Sequence, residues 1–550
     1  MLLNPVRVTK FLLAGLTVFF FSWIVCVNEW HNVTWGGRRT ARAASTMRTI
    51  VGYSEGKRAE LDRPSPVTCD RLPAFPSIPY INRTWSPNEP REETWQRVDG
   101  TSVSLYAAYY DQRSTQHYVR ILAAFHGRNI SAEVPLFCQT RFLNSDEESV
   151  EVVAAKPLEI WAHEWDTTSR EVKTPLLLSC PLTEVLNGPS TVSIVTQPCD
   201  DPTNAFTLKP TQGAHKYNRT FTICVKDMNF EKDVSQNLIE WIETNKILGV
   251  DMIDVYVDRI TKESENVLMF YRNQGVVRLF HVPIKHKLEG SLWQRRRDHI
   301  ITYNDCLYRN LRESEYIIPL DVDEIILPKV AYTWSELLSR LIKRGWNATQ
   351  KSSIIIKNAF FFDFMQGVDK YNIRVKKLHS NKSKTYMKRD DVRIPEREYL
   401  DEIKLIGDVN SINDEVIDIK NIDKESSDMY RSRCGNELVV PKLASHIVRS
   451  AIISPIGSYS KSFMLTRKVL TAFNHYPLAN IGSPGIGGWS APLSEVQLNH
   501  YKESCNTTVL MGECERYGRR ARVDTAALRL RRRLTRALAA VAACAGINHT

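Results

Sequence analysis

The 11 cysteines contain no C-x-x-C pair and no zinc-type spacing, which excludes a zinc module built on paired thiolates. Strong charge of one sign is also missing from most of the chain. The formal net charge is +11, but from Glu515 onward nine arginines face only Glu515 and Asp524, so this tail supplies +7. The remainder carries about +4, which is no nucleic-acid footprint. If it folds, Arg529–Leu538 makes a basic amphipathic helix, for which a solvated tail is the plainer reading than an anionic partner. Apolar content of 43% and charged content of 25% are those of ordinary globular protein, and 550 residues allow two or three domains with a large core.

Phe11–Val27 is a stretch of 17 residues without a charge, preceded by Arg7 and Lys10. That is the lower limit for a membrane span and long for a signal-peptide core, and no clear small-x-small cleavage site follows. The reading is an uncleaved anchor with residues 1–10 cytoplasmic and the body lumenal. Eight N-x-S/T sequons, from Asn32 to Asn548, and ten scattered cysteines outside the span point the same way, since an oxidising lumen permits both glycans and disulfides.

Residues 28–98 are polar, basic and rich in proline, the texture of a stem. Over 99–215, short segments of strand composition such as Val103–Tyr110 and Tyr118–Phe125 predict a small β-rich module. From Phe221 the pattern changes. Strand-like Phe221–Lys226, Ile253–Val257 and Val276–Val282 alternate with helical spacing over 234–248, 263–275 and 292–311. Such alternation implies β-α-β units and a mainly parallel sheet. The polar segment 379–436 reads as an insertion, and 515–550 as a basic tail.

The stretch that organises the rest is Tyr316–Pro328, two apolar runs around Asp321, Asp323 and Glu324. It reads as a buried strand whose acids reach the carboxyl edge of the sheet, where open α/β sheets bind ligands, although Pro319 removes a ladder donor. Asp321 and Asp323 are two apart, so in an extended chain they point the same way. Two hard oxygen ligands suit Mg²⁺ or Mn²⁺ better than zinc. The acids and histidines around Asp321 are too few for a metal-dependent phosphatase or nuclease. On the preceding helix Asn304 lies on the apolar face, beside Asp305. It makes either a helix–sheet hydrogen bond or a group facing a nucleotide pocket.

Asn304–Arg309 followed by Leu320–Glu324 resembles the core signature of glycosyltransferase family 92, single-pass Golgi galactosyltransferases of metazoans and plants. The similarity runs over about 100–505 and takes in Ala107–Arg113, Ser460–Phe463, Asn474-His475 and His500-Tyr501. It implies a GT-A-like mixed α/β sheet flanked by helices (216–514), behind the β-rich module and the transmembrane helix. It further implies UDP-galactose as donor, a glycoprotein or glycolipid glycan as acceptor, Mn²⁺ (or Mg²⁺), and inversion to a β-linked product in the Golgi lumen.

On this reading Asp321 and Asp323 hold the metal, with His500 and then His475 as late-chain ligands, each of which could instead be a packing histidine. Asn304, Asp305, Lys226 and Arg296 are the further donor-site candidates. The base that takes the acceptor proton is sought among Glu495, Asp363 and Asp369, with Glu495 preferred because Pro484–Trp489 before it could form an acceptor lip. The alternative is a lumenal glycan-binding protein that keeps the fold without turnover.

Overall fold

The computed structural model describes residues 65–544 except 72, 80, 88–94, 128–129, 131–133, 144–147, 162–171, 184–187, 210–216, 283–291, 367–440, 483–486, 505–512 and 519. The expected anchor 11–27 and insertion 379–436 therefore lie outside the described residues. Among the described residues no helix is long and apolar enough to cross a membrane.

The first module is all β. A five-stranded sheet includes Ser104–Asp111, Tyr118–His126 and Lys173–Pro181, and a four-stranded sheet includes Phe137–Leu143 and Thr191–Val195. Alternate residues turn inward and share one core, Val119, Ile121, Ala123 and Phe125 meeting Cys138, Phe142, Val192 and Ile194. The Cys138–Cys180 disulfide ties one sheet to the other. The described part of the expected stem is laid along the fold. Cys69 is bonded to Cys199, and Trp85 N donates to Leu279 O at 3.0 Å on a strand of the second module.

The second module is mixed α/β, as the alternating pattern implies. Its chain order is β1 (Arg219–Asn229), α1 (Ser235–Leu248), β2 (Met252–Arg259), α2 (Lys262–Asn273), β3 (Val277–His281), α3 (Leu292–Arg309) and β4 (Ser314–Pro319). Then come β5 (Glu324–Pro328), α4 (Trp334–Lys343), β6 (Ser353–Ile356), β7 (Asn358–Phe362), β8 (Lys461–Leu465), β9 (Gly488–Ser490), β10 (Val496–Lys502) and α5 (Arg531–Cys544). Local chemistry sets the helix ends. Thr261 and Thr333 cap α2 and α4, and Gly249, at φ 99°, takes the left-handed conformation that stops α1.

The main sheet runs β3-β2-β1-β4-β8-β6-β9, with β1 to β4 parallel and β8 antiparallel to both its neighbours. The chain goes outward from β1 to β3, then returns through α3 to place β4 on the other side of β1. The carboxyl ends of β1 and β4 therefore flank a topological switch point, where such sheets leave a crevice. The Cys224–Cys306 disulfide fastens β1 to α3 below it.

One expectation is corrected here. Tyr316–Pro328 is not a single strand. β4 ends at Pro319, and β5 belongs to a second, three-stranded sheet β5-β10-β7. Asp321–Asp323 make the turn between them, closed by Glu324 N donating to Asp321 O at 3.0 Å. The proline that can extend neither ladder marks the crossing from one sheet to the other.

The basic tail also differs from a solvated one. Leu530, Leu534, Leu538 and Val541 are buried in the main core, and α5 packs on α1, while Arg532, Arg533 and Arg536 face solvent. Leu534→Ala is expected to destabilise the protein by about 2–4 kcal/mol, and Arg532→Ala by less than about 0.5 kcal/mol, in denaturant unfolding of the chain lacking residues 1–60.

Candidate active site at the carboxyl edge

The turn 321–323 gathers lysines that are distant in sequence. Lys226 Nζ, at the end of β1, donates to Asp321 Oδ1 at 2.5 Å. Lys461 Nζ, at the start of β8, reaches Asp321 Oδ2 at 3.1 Å and Glu324 Oε2 at 3.0 Å. Lys502 Nζ, at the end of β10, donates to Asp323 Oδ2 at 2.6 Å. Three carboxylates thus face three ammonium groups. Burial opposes ionisation of Asp321, but Lys226 and Lys461 outweigh it and hold its carboxyl well below the usual range. Asp323 is lowered too, where burial is overcome by His500 and Lys502.

His500 enters through register. β5 and β10 are antiparallel with Glu324 opposite His500. The ring stacks on Phe360, its Nε2 lies 3.5 Å from Asp323 Oδ2, and both ring nitrogens are buried without a hydrogen-bond partner. Among the described residues no three His, Cys, Asp or Glu side chains are drawn together as a metal-binding group. A buried imidazole nitrogen with no partner is costly, and a cation between it and the carboxylate would satisfy both. The residues therefore fit a divalent ion held by Asp323 and His500, close to where the Lys502 ammonium now lies.

His475 is engaged elsewhere, its Nδ1 2.7 Å from Ser460 O. Burial and the nearby Lys461 push its pKa down to about 3, so it is neutral near pH 7. Arg296 lies over Trp293, 4.7 Å from the ring centroid, beside Tyr459, which packs on Phe360. It is a cation on the site side without a carboxylate partner among the described residues.

Other expected site residues are structural. Asn304 donates to Ala472 O at 3.0 Å and accepts from Ala472 N at 2.8 Å, the helix–sheet bond rather than a pocket group. Asp305 is wholly buried. It accepts from Tyr109 of the first module, from Tyr256, and from Arg309 at 2.6 Å, so it joins the two modules. Glu495 is a correction. Opposite Val496 stands Pro328, at the end of β5 remote from Glu324, and Glu495 is clamped by Arg340 at 2.6 Å and Arg344 at 3.0 Å. A carboxylate so neutralised is a poor base. Trp489 packs on Trp346 at the edge strand β9, remote from the acids in the sheet order.

Asp363 directly follows β7, whose Phe362 is level with Lys502, and its Oδ1 lies 2.9 Å from His446 Nε2. It thus stands at the carboxyl end of β7, one residue past the level of Lys502, and His446 in turn packs edge-on to Tyr501. Asp369 lies outside the described residues. Reading the sequence did not single out Lys461, Lys502 or His446 as site residues. It also missed Asp227, held at φ 36° at the end of β1 and contacted by Arg295 and, at 2.9 Å, by His299. The signal available was that Lys461 opens a strand inside a segment already similar to the family and that Lys502 closes one beside another.

A mixed α/β protein with paired aspartates at the switch point, opposed by cations suited to a diphosphate, has the layout of a nucleotide-dependent transferase. The model of glycosyltransferase family 92 matches residues 219–525, and the chain belongs to that family. The chain is also similar to beta-1,4-galactosyltransferase galt-1 of Caenorhabditis elegans, 21% identical over 268 residues. That match takes in 46% of this chain and spans 58% of the relative's length.

Asp305→Ala would strand the Arg309 charge in the interior and is expected to destabilise the protein by about 3–5 kcal/mol in denaturant unfolding. Because its pKa is lowered to about 3, His475 should stay neutral as pH falls, charging only below about pH 4, so its ring resonances are expected not to titrate between about pH 5 and pH 8 by NMR.

Proposed function

We propose that this glycosyltransferase moves galactose from UDP-galactose to a hydroxyl of a glycan, inverting the anomeric configuration, in the lumen of the Golgi behind an N-terminal anchor. The single observation that carries the reading is the carboxyl-edge array of Asp321, Asp323 and His500 with Lys226, Lys461 and Lys502. Family membership supports glycosyl transfer, and the relative's name supports galactose as the sugar. The switch-point topology supports a GT-A arrangement, and the three disulfides among the described residues suit an oxidising compartment.

The chain's own groups divide the work. Lys226, Lys461 and Arg296 line the place where the donor diphosphate would lie and offset its charge as it leaves. Asp323 and His500 would hold a divalent ion, Mn²⁺ or Mg²⁺, with Asp321 as the neighbouring carboxylate. When bound, that ion adds Lewis-acid neutralisation of the departing UDP. Lys502, paired with Asp323 in this structure, would be within the same array to offset phosphate charge. Asp363 is the base. It receives the proton of the acceptor hydroxyl while that oxygen bonds to C1 and the C1–phosphate oxygen bond breaks, and the electron pair leaves with UDP. His446 donates to Oδ1 of the Asp363 carboxylate and fixes its plane.

The test is UDP release by the secreted form lacking residues 1–60, with a panel of UDP-sugars, Mn²⁺ and a mixed glycan pool. Release is expected from UDP-galactose above other donors, raised by acceptor and abolished by chelator. Asp323→Ala is expected to lower it by at least about 10²-fold in a chain that still folds and is secreted. Full activity in Asp323→Ala would overturn the assignment. Glycan binding indifferent to chelator and nucleotide, with no release from any donor, would establish the non-catalytic reading instead.

A further inference from the structure

Three of the eight N-x-S/T sequons fall among the described residues, at Asn82, Asn218 and Asn347, and the chemistry above uses none of them. Asn347 is exposed, in the turn between α4 and β6. Its Oδ1 accepts from Thr349 N at 2.9 Å and from Thr349 Oγ1 at 2.7 Å, so the third residue of the sequon folds back on the first. Its Nδ2 makes no hydrogen bond among the described residues. Asn218 is exposed just before β1, and its side chain makes no bond among the described residues. Asn82, by contrast, is half-buried, with the adjoining Thr84 bridged to Phe280 of β3.

An asparagine amide that gains a sugar on Nδ2 keeps its carbonyl as an acceptor and gives up one N–H donor. At Asn347 the carbonyl is the half in use. Glycosylation there leaves both hydrogen bonds of the turn standing and takes no donor that the fold employs. At Asn218 neither half is in use. Both side chains are open to water, which a bulky hydrophilic chain needs.

Topology puts the two asparagines on one edge. β6 is antiparallel to β8, β8 is antiparallel to β4, and β4 is parallel to β1, so β1 and β6 run in one direction and begin at the same edge. The chain leaving β8 turns between them. Thr466 Oγ1 lies 3.4 Å from the Tyr217 hydroxyl, Arg467 Nη2 lies 3.4 Å from Ala348 O, and Lys468 donates to Thr349 O. The far ends of the same strands are the candidate site, since β1 leads to Lys226 and Ile356 of β6 is level with Lys461. At about 3.3 Å per residue, about 20 Å of β1 separates the two edges.

We propose that Asn218 and Asn347 both carry N-linked oligosaccharides, a pair that covers the amino edge of the main sheet and leaves the carboxyl edge open. This rests on the lumenal placement proposed above. The co-reactant is a membrane-borne, diphosphate-linked oligosaccharide. The Nδ2–C1 bond forms, the C1–oxygen bond to the diphosphate breaks with its electron pair leaving on that oxygen, and Nδ2 loses one proton. The glycans stand away from the transfer chemistry, so their loss leaves it in place.

The experiment uses the full chain made in eukaryotic cells. Its glycans are removed by a peptide amidase in heavy-oxygen water, and mass spectrometry of the peptides reads which asparagines have become labelled aspartate. Label is expected at both 218 and 347. Asn218→Gln and Asn347→Gln are each expected to remove one amidase-sensitive step in gel mobility. Thr349→Ala is expected to lose the Asn347 step and Thr349→Ser to keep it. UDP release from UDP-galactose by the two glutamine variants is expected to stay within about twofold of the parent. Site occupancy is read on the unaltered chain, so it needs neither a folded variant nor a turned-over donor. Unlabelled asparagine at either position, with another sequon labelled, would overturn the glycan pair and leave the lumenal placement standing. No label at any sequon would overturn both.

Discussion

Asp321 is held by two lysines that come from the strands on either side of β4, and the architecture of the edge depends on that double ion pair. Lys226 ends β1 and Lys461 opens β8, while Asp321 itself leaves β4, the strand between them. Lys461 is fully buried and Lys226 largely so, and each alone would need a counter-ion; shared on one carboxylate, they pin three strand ends at one point. Glu324 completes the balance with Lys461, and His500 and Lys502 extend it through Asp323 to the second sheet. Pairing of this kind is costly to break and gains little over apolar packing, so its retention at a crevice fits a site built to exchange partners. On the function proposed above, an arriving diphosphate would offer those lysines a second anion at the same place.

The alternation of strands and helices was legible because period and length agree over β1 to β4, and the β-rich module because its strands are short and regularly spaced. The break at Pro319 was signalled, yet the run to Pro328 looked continuous because both halves are buried and apolar. Hydropathy cannot tell one sheet from two. Lys461 and Lys502 lie 140 and 179 residues from the aspartates they meet, and a lysine at a strand end has the same local sequence whether it is solvated or paired. Glu495 was misleading for the complementary reason. Its neighbours suggested a loop near the site, while antiparallel register carries it to the far end of β5.

Several residues similar to the family signature turn out to hold the modules together. Asp305 takes a hydroxyl from Tyr109, and Arg113 donates to the carbonyls of Thr466 and Val469 at 2.6 Å while paired to the buried Asp111. The β-rich module is in this sense a bracket behind α3, which in turn carries Arg295, Arg296 and His299 to the crevice. A signature that mixes joint residues with site residues is best read as a record of one geometry rather than a list of chemical roles.

The helix α5 has a bearing on how the chain is made. Its leucines cover the face of α1, an element some 290 residues earlier in the order of synthesis. Until residues 531–544 have been synthesised and have folded back, that face stays open to solvent and to other chains. The parallel half of the sheet can form early, sealed by Cys224–Cys306, but the core closes late. Chaperone occupancy on the nascent chain should therefore outlast the first native disulfides, and quality control would act on the end of the polypeptide rather than on the carboxyl edge of the sheet.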